Sequence, residues 1–256
     1  MSSVTLTVAT YNIHKGFSHF NRRMVLHELR ERLRKLDVDI VFLQEVQGEN
    51  SVDELRHHNY PAQPQHEFLA EQIWPHHAYG KNAVYDAGHH GNAILSRFPI
   101  VCWDNLDISA HNFENRGLLH CEIDLSPINK PGTGQNLHCI CVHFGLLKRG
   151  RSAQFSALLE RVRQKVPADA PLIIAGDFND WRNHASHLLA QKLQLHEAFE
   201  ACHGKLARSY PVGLPLLRMD RIYVRGLRIQ HSEVYAHHPW NKISDHAALS
   251  ATLTLI

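Results

Sequence analysis

The chain has 256 residues, of which 44% are hydrophobic and 20% are charged, a composition that excludes a disordered chain and a coiled coil. Its formal net charge of +2, from 27 basic and 25 acidic residues, neither indicates nor excludes a polyanionic partner. The apolar runs are far shorter than the roughly 18 residues that cross a bilayer, so no transmembrane segment is predicted.

Runs of apolar residues bounded by turn-forming or charged residues predict eight β-strands. In chain order they are Val4–Tyr11, Asp39–Gln44, Gly91–Ser96, Gly117–Leu125, Asn136–His143, Pro171–Ala175, Met219–Val224 and Ala247–Leu255. Apolar stripes at helical spacing predict helices over Arg22–Leu36, with Asn21 as the N-cap, and over Arg151–Val166. A shorter helix is predicted over His66–Trp74, and the turn-rich segment Ser126–Gln135 predicts a surface hairpin loop. These elements favour stacked sheets with helices outside, an α+β or α/β sandwich in a single domain over residues 1–256.

The N-terminus and the cysteines indicate where the protein works. No basic region followed by a long apolar core opens the sequence, so a secretory signal is not predicted. The five cysteines are an odd number, which favours reduced thiols over a disulfide framework. Cys139 and Cys141 alternate in an apolar run, which favours buried strand side chains over metal ligands. We therefore expect a soluble cytoplasmic protein.

Polar side chains stand at the ends of five predicted strands. They are Asn12, Glu45, His143, the run Asp177–Asp180, and the pair Asp245 and His246. If these ends share one edge of a sandwich, they form a cluster of hard oxygen ligands with two imidazoles. Mg²⁺ prefers one or two carboxylates, and phosphate ester cleavage needs a metal, a base and groups that stabilise charge around phosphorus. The strand ends therefore indicate a phosphoesterase site.

Each of these residues also has a structural interpretation. The run from Asp177 to Asp180 is typical of an Asx-turn, and Glu45 is compatible with a solvated loop charge. His143 is compatible with a core histidine that has its hydrogen bonds satisfied. The functional interpretation depends on all of them occurring together.

Seven segments resemble the endonuclease/exonuclease/phosphatase superfamily, which has the deoxyribonuclease I-like fold. In family order they are Thr10–Gly16, Asp39–Glu45, Gly91–Ile100, Cys141–Phe144, Ile174–Asn179, Met219–Val224 and Ser244–His246. The opening Asn-Ile-His-Lys-Gly resembles in particular the bacterial YbhP-like branch. The resemblance implies a four-layered αββα sandwich, with two mixed sheets face to face and the site at one edge.

The resemblance also implies a Mg²⁺ site, with Mn²⁺ as a possible substitute. Glu45 would be the principal metal ligand, Asn12 would hold metal or phosphate, and Asp245 would support the metal or its water shell. Arg116 would contact phosphate, and its alternative interpretation is a solvated cation at the entry of a strand. Whether Asn92 reaches the site is left open.

The catalytic roles implied by the resemblance fall on five residues. Asp177 would activate the attacking water, and Asn179 would contact the phosphoryl group. His246 would stabilise the transition state, oriented and kept cationic by Asp220. His143 would lie near the leaving group.

Taken together, the sequence predicts a Mg²⁺-dependent phosphodiesterase or phosphomonoesterase. The substrate is left open between nucleic acid and a phospholipid or inositol-phosphate ester, and no obligate protein partner is evident. His14, two residues after Asn12, differs from the acid of the abasic-site repair branch, which makes DNA repair a weaker expectation. The alternative function is a catalytically silent phosphate-binding or scaffold module on the same fold.

Overall fold

Two β-sheets form the centre of the structure, a computed structural model that describes residues 4–19, 22–111, 114–128 and 136–256. The strands are β1 Thr5–Asn12, β2 Ile40–Asn50, β3 His76–Tyr85, β4 Gly88–Ser96, β5 Ile100–Asp107, β6 Gly117–Ile123, β7 Leu137–His143, β8 Leu172–Asp177, β9 His196–Glu197, β10 Asp220–Arg225, β11 Leu227–Tyr235 and β12 Ala248–Leu255. The first sheet has the order β11-β12-β1-β2-β4-β3, and the second has the order β5-β6-β7-β8-β10-β9.

Most helices lie on the outer faces of the sheets, whereas the helix at 198–203 contributes Ala198 and Phe199 to the core between them. They are α1 Leu26–Leu36, α2 Ser51–Arg56, α3 Gln65–Ala70, α4 Lys148–Lys165, α5 His184–Leu193 and α6 Ala198–His203, with short 3-10 turns at His14–Gly16 and Trp240–Lys242. In α1 the apolar spacing buries Leu26, Leu29 and Leu33 on one stripe, which is why this charged segment can pack as a helix.

Three apolar clusters define the layers. Side chains of both sheets, such as Phe42 and Ile173, meet in one core between them. Leu29 of α1 packs with Val41 on the outer face of the first sheet, and Leu158 of α4 packs on the outer face of the second sheet. The predicted four-layered αββα sandwich, an α+β fold with two mixed sheets, is therefore confirmed.

Each sheet contains one parallel pair near its centre, β1 with β2 and β7 with β8. Parallel neighbours end at the same edge of a sheet. The ends of β1 and β8 meet across the sandwich, as the distance of 3.3 Å between Asn12 Nδ2 and Asp177 Oδ2 shows. This edge holds the candidate site.

Two predicted helices are longer than the structure shows. Helix α1 begins at Leu26 rather than Arg22, because the preceding backbone pairs with residues 16–18: Val25 N donates to Gly16 O and Ser18 N donates to Arg23 O. The predicted N-cap Asn21 lies outside the described residues. Helix α3 ends at Ala70, short of the predicted Trp74.

Three further observations bear on the sequence predictions. Cys139 and Cys141 are fully buried in β7, which confirms them as strand side chains. The predicted loop Ser126–Gln135 is described only up to residue 128, and the rest lies outside the described residues. In the part of the chain that is described, no helix is long and apolar enough to span a bilayer.

Candidate active site

Asp177 lies at the centre of the site because of strand register. It is the last residue of β8 and pairs with His143 on parallel β7 and with Asp220 on antiparallel β10. Three chemically active side chains are therefore adjacent across three hydrogen-bonded strands. Asp177, Asp220 and His246 each offer a ligand or proton-accepting atom within 4.8 Å of the others.

His246 and Asp220 form a buried pair. Nδ1 of His246 lies 2.9 Å from Asp220 Oδ2, and Asp220 is fully buried. Burial alone would lower the pKa of His246, but the charge and the hydrogen bond of Asp220 raise it to about 10. The imidazole is therefore a cation at neutral pH, and its Nε2 lies 3.8 Å from Asp177 Oδ2.

Burial also shifts the pKa of Asp177. Its pKa is raised to about 6, chiefly by burial, while the positive charge of His246 opposes the rise. Asn179 N donates to Asp177 Oδ1 at 2.9 Å, which leaves Oδ2 directed towards the histidines and Asn12. A carboxylate with a raised pKa is a stronger proton acceptor at neutral pH than an ordinary aspartate.

Asn12 joins the two sheets at this edge. Its Nδ2 lies 3.3 Å from Asp177 Oδ2 and 3.3 Å from Glu45 Oε1, so one amide contacts both carboxylates. Its Oδ1 accepts a hydrogen bond from His14 N. The backbone of Asn12 is fixed by Ser244, whose Oγ donates to Asn12 O at 2.7 Å.

Glu45 lies within β2 rather than after it, because the strand continues to Asn50. The pairing of β2 with β4 skips two residues between Leu43 and Val46, and Glu45 has a φ of 56°. This bulge interrupts the alternation of the strand, a common way of redirecting a side chain beside an active site. The predicted ligand therefore occupies a bulge of the strand and not a loop.

Asp245 pairs with His14, whose role the sequence left open. Their Oδ1 and Nδ1 atoms are 3.2 Å apart, and the hydrogen bond to Asp245 raises the pKa of His14. His14 lies in the left-handed region, with a φ of 46°. The pair joins the turn after β1 to the segment before β12 and orients the Asp245 carboxylate.

Asn179 and His143 flank Asp177. Asn179 Nδ2 donates to Phe144 O at 2.8 Å, and its φ of 49° fits the αL tolerance of asparagine. His143 Nε2 lies 3.6 Å from Asp177 Oδ2. Burial, supported by the charge of Arg116, lowers the pKa of His143 well below its ordinary value, so this imidazole is neutral.

Arg116 and Asn92 differ in whether their side-chain donors have partners. Arg116 Nε is buried and has no partner among the described residues, and Arg116 lines a cavity of about 290 Å³ together with His90. Asn92 Nδ2 donates to Gly117 O at 3.0 Å and to Cys141 O at 3.4 Å. Asn92 thus connects strands of both sheets and has a clear structural role.

Two residues that stabilise the site were not predicted from the sequence, because no motif or periodic pattern includes them. The ring of Tyr210 lies 4.9 Å from the ring of His246. Ser209 Oγ accepts from the backbone N of Met219 and of Asp220, which fixes the start of β10. Both lie in an irregular segment that none of the sequence motifs covers.

The sequence of residues 9–246 matches the Endonuclease/Exonuclease/phosphatase family. This chain belongs to the endonuclease/exonuclease/phosphatase family. The motifs that carried the resemblance span the same range, and the predicted membership is confirmed.

Relatives support this membership. The chain is 47% identical over 248 residues to the uncharacterized protein YbhP of Escherichia coli K12, covering 97% of this chain and 96% of that protein. Two solved structures have the same fold at 18% identity. D. rerio TDP2 complexed with a single-strand DNA product has a TM-score of 0.72 and covers 97% of this chain and 98% of its own. A mannosyl-6-phosphatase of Bacteroides thetaiotaomicron has a TM-score of 0.70 and covers 97% and 99%.

Members of the endonuclease/exonuclease/phosphatase family use a divalent metal, and the oxygen atoms at this edge fit one. Glu45 and Asp177 approach the same amide of Asn12, and Asp220 Oδ1 is buried with no partner among the described residues. Carboxylate and amide oxygens suit a hard cation, and such closely spaced carboxylates need positive charge to balance them.

Proposed function

We propose that this chain is a Mg²⁺-dependent hydrolase of phosphate esters, in which a water molecule attacks phosphorus in line with the leaving oxygen. The buried Asp177, flanked by the cationic His246 and the neutral His143, is the observation that carries the proposal. Family membership supports a phosphoester hydrolase, and the donor set supports the metal.

Three residues are proposed to hold Mg²⁺, with Mn²⁺ as a substitute. Glu45 is the principal ligand, Asn12 contributes its amide oxygen, which also accepts from His14 N, and Asp245 supports the ion or its waters. A bound divalent cation stabilises the charge on the phosphoryl oxygens and lowers the pKa of a water. Asn12, Asn179 and Arg116 are proposed to contact the phosphate, and Arg116 Nε, which has no partner among the described residues, is consistent with that role.

The proton moves from the water to Asp177. The new bond joins the water oxygen to phosphorus, the bond to the leaving oxygen breaks, and the leaving oxygen takes a proton from solvent. His246 stabilises the negative charge on the phosphoryl oxygens, since Asp220 keeps it protonated. His143 is neutral, so it serves as a hydrogen-bond donor to the leaving oxygen rather than as its acid.

A catalytically silent scaffold is the alternative, and burial argues against it. Asp177 and Asp220 are 1% and 0% exposed, and burying ionisable groups costs stability. A scaffold has no need for that cost, whereas perturbed carboxylates are typical of active sites.

The test is hydrolysis of bis(p-nitrophenyl) phosphate, a generic phosphodiester, with p-nitrophenyl phosphate as the monoester. We expect turnover of at least one of them with Mg²⁺, its loss with EDTA, and its recovery with excess Mg²⁺. Turnover that EDTA leaves unchanged would contradict the proposed dependence on a metal ion. An absence of turnover of both esters, and of single-stranded DNA and a mannose 6-phosphate ester, would favour the scaffold.

A further inference from the structure

A cavity of about 330 Å³ opens beside the candidate active site. Its lining residues are Lys15, Phe17, Gln47, Asn50, Asp53, Arg56, His57 and Tyr85. We call it the Lys15–Arg56 pocket. Its volume is at the lower end of the range for ligand sites, which suits one ring-sized or phosphate-sized group.

Chain connections place the pocket next to the proposed metal ligands. Lys15 directly follows His14, whose ring contacts Asp245. Gln47 lies two residues beyond Glu45 on β2. When the reacting phosphate of a substrate lies at the metal that Glu45 is proposed to bind, the adjacent group of that substrate is therefore within reach of the pocket.

The two cations of the pocket have no acidic partner. Among the described residues, no carboxylate lies within 4.0 Å of the Lys15 amine or the Arg56 guanidinium. Three arginines elsewhere on the surface are paired: Arg23 with Glu28, Arg30 with Glu71, and Arg97 with Asp39. The pocket is thus a place where this chain presents uncompensated positive charge to a cavity.

The one acid of the pocket is already engaged. Asp53 Oδ2 accepts from Gln47 Nε2 at 3.0 Å and from Asn50 Nδ2 at 2.6 Å, and Asn50 Oδ1 caps helix α2 through Asp53 N. This network holds the carboxylate in the floor of the pocket. These hydrogen bonds orient the carboxylate without neutralising it, so the two cations and one carboxylate leave the pocket with a net positive charge that favours an anion.

Aromatic rings form the wall of the pocket. The rings of Phe17 and His57 lie 5.2 Å apart, and Tyr85 is 37% exposed. Tyr85 also approaches His90, at 5.8 Å between ring centroids, on the strand that pairs with β2. A flat or hydroxylated ring that carries a phosphate would find both an aromatic surface and two cations here.

We propose that the Lys15–Arg56 pocket binds a second phosphate group of the substrate, so that this protein prefers compounds with two phosphates over those with one. The inference rests on the proposed function, because the first phosphate occupies the candidate active site. The neighbouring phosphate of a nucleotide chain and the second phosphate of an inositol phosphate share this chemistry.

The test measures binding without turnover, in an Asp177→Asn background with Mg²⁺, by isothermal titration calorimetry. One arm compares thymidine 3′,5′-bisphosphate with thymidine 5′-monophosphate, and the other compares inositol 1,4-bisphosphate with inositol 1-phosphate. We expect at least one bisphosphate to bind about tenfold more tightly or better, the value of one charged hydrogen bond. The arm with the preference identifies the source.

Arg56→Gln should remove that preference, since Arg56 is exposed at the end of α2 and its loss leaves the fold intact. The matched control is Arg228→Gln, an exposed arginine of β11 that pairs with Thr254 at the opposite end of the sheet. Equal affinities in both arms, or an Arg56→Gln variant that keeps the preference, would overturn the inference.

A second readout separates this inference from the proposed function. Bis(p-nitrophenyl) phosphate has a single phosphate, so Arg56→Gln should leave its kcat/KM unchanged within about twofold. Loss of that basal turnover in Arg56→Gln would place the residue in general catalysis and overturn the specific role of the pocket. Absence of turnover in the unmodified protein contradicts the proposed function instead, and the binding preference is still decided by the calorimetry.

Discussion

His246 Nδ1 and Asp220 Oδ2 lie 2.9 Å apart across 26 residues of sequence, in a setting where Asp220 is fully buried. The pair converts a buried histidine, which would ordinarily be neutral, into a cation that faces Asp177 at 3.8 Å. The same contact provides both the charge and the orientation of the ring.

The first prediction concerns this pair. Asp220→Asn and His246→Gln should each lower turnover on the order of 10²–10³-fold, the value of one oxyanion donor. The double variant should lose little more than His246→Gln alone, because paired residues act as a unit. The sign of the pH effect follows from the raised pKa: the cation is present below about 10 and is lost above it. Asp220→Asn should therefore move the alkaline limb of the pH–rate profile to lower pH.

Steady-state turnover against pH for the two single variants and the double variant decides the matter. Losses that add in full, with an alkaline limb that does not move, would show that the two residues work independently.

The second prediction concerns Mg²⁺ and Glu45. A ligand that binds the folded state alone raises the midpoint of thermal unfolding. We expect Mg²⁺ to raise it for the unmodified protein and much less for Glu45→Gln, which keeps the shape and loses the charge. Turnover of Glu45→Gln should fall by orders of magnitude. Glu54→Gln, at an exposed position of α2, is the matched control. If Mg²⁺ raised the midpoint of thermal unfolding equally in the two variants, Glu45 would not be a metal ligand.

The third prediction is a pH dependence of stability. Burial lowers the pKa of His66 to about 4 and that of His120 to about 3. The unfolded chain, with pKa values near 6.5, binds more protons than the folded one in acid. The free energy of unfolding should therefore fall as the pH drops below about 6.5, on the order of 1–2 kcal/mol per histidine between pH 7 and pH 5.

Urea unfolding at several pH values measures this slope. His66→Gln should make it shallower, whatever its effect at pH 7, whereas His58→Gln at an exposed position should not. Identical slopes in both variants would rule out His66 as a source of the acid sensitivity.

The fourth prediction concerns the glycine before Asp177. Gly176 has a φ of 147°, and a Cβ there would lie 1.9 Å from Val142 O on β7. Gly176→Ala should cost about 2–4 kcal/mol of stability, through strain and crowding between the two parallel strands. Gly213→Ala is the control, since its Cβ meets nothing within 4 Å. Chemical denaturation of the two variants should separate them clearly, and similar stabilities would argue against tight packing behind Asp177.

The strands that the sequence predicted and those it missed differ for a physical reason. The missed strands β3, β5, β9 and β11 are the four edges of the two sheets. In β5 most side chains are exposed, so the strand has no apolar run to reveal it. Hydrogen bonding to one neighbour holds such a strand in place, and the residue pattern alone does not record that.

Some residues of the candidate site could be predicted from the sequence and others could not. Apolar runs indicate where strands end, which is why the positions of Asp177 and His143 at strand ends could be predicted. The bulge at Glu45 and the ion pair between His14 and Asp245 depend on contacts between distant segments. The Lys15–Arg56 pocket was likewise invisible, because Lys15 and Arg56 come together only when the turn after β1 packs against α2.

The role of Asp177 as the base is tested most directly by the turnover of Asp177→Asn, measured against the unmodified protein and Asp86→Asn, a control at an exposed turn. Asn keeps the size of the side chain but cannot accept the proton from water. We expect kcat to fall by about 10²–10⁴-fold in Asp177→Asn, with Mg²⁺ binding retained, and to stay unchanged in Asp86→Asn. A folded Asp177→Asn protein that turns over within a few-fold of the unmodified protein would contradict that role.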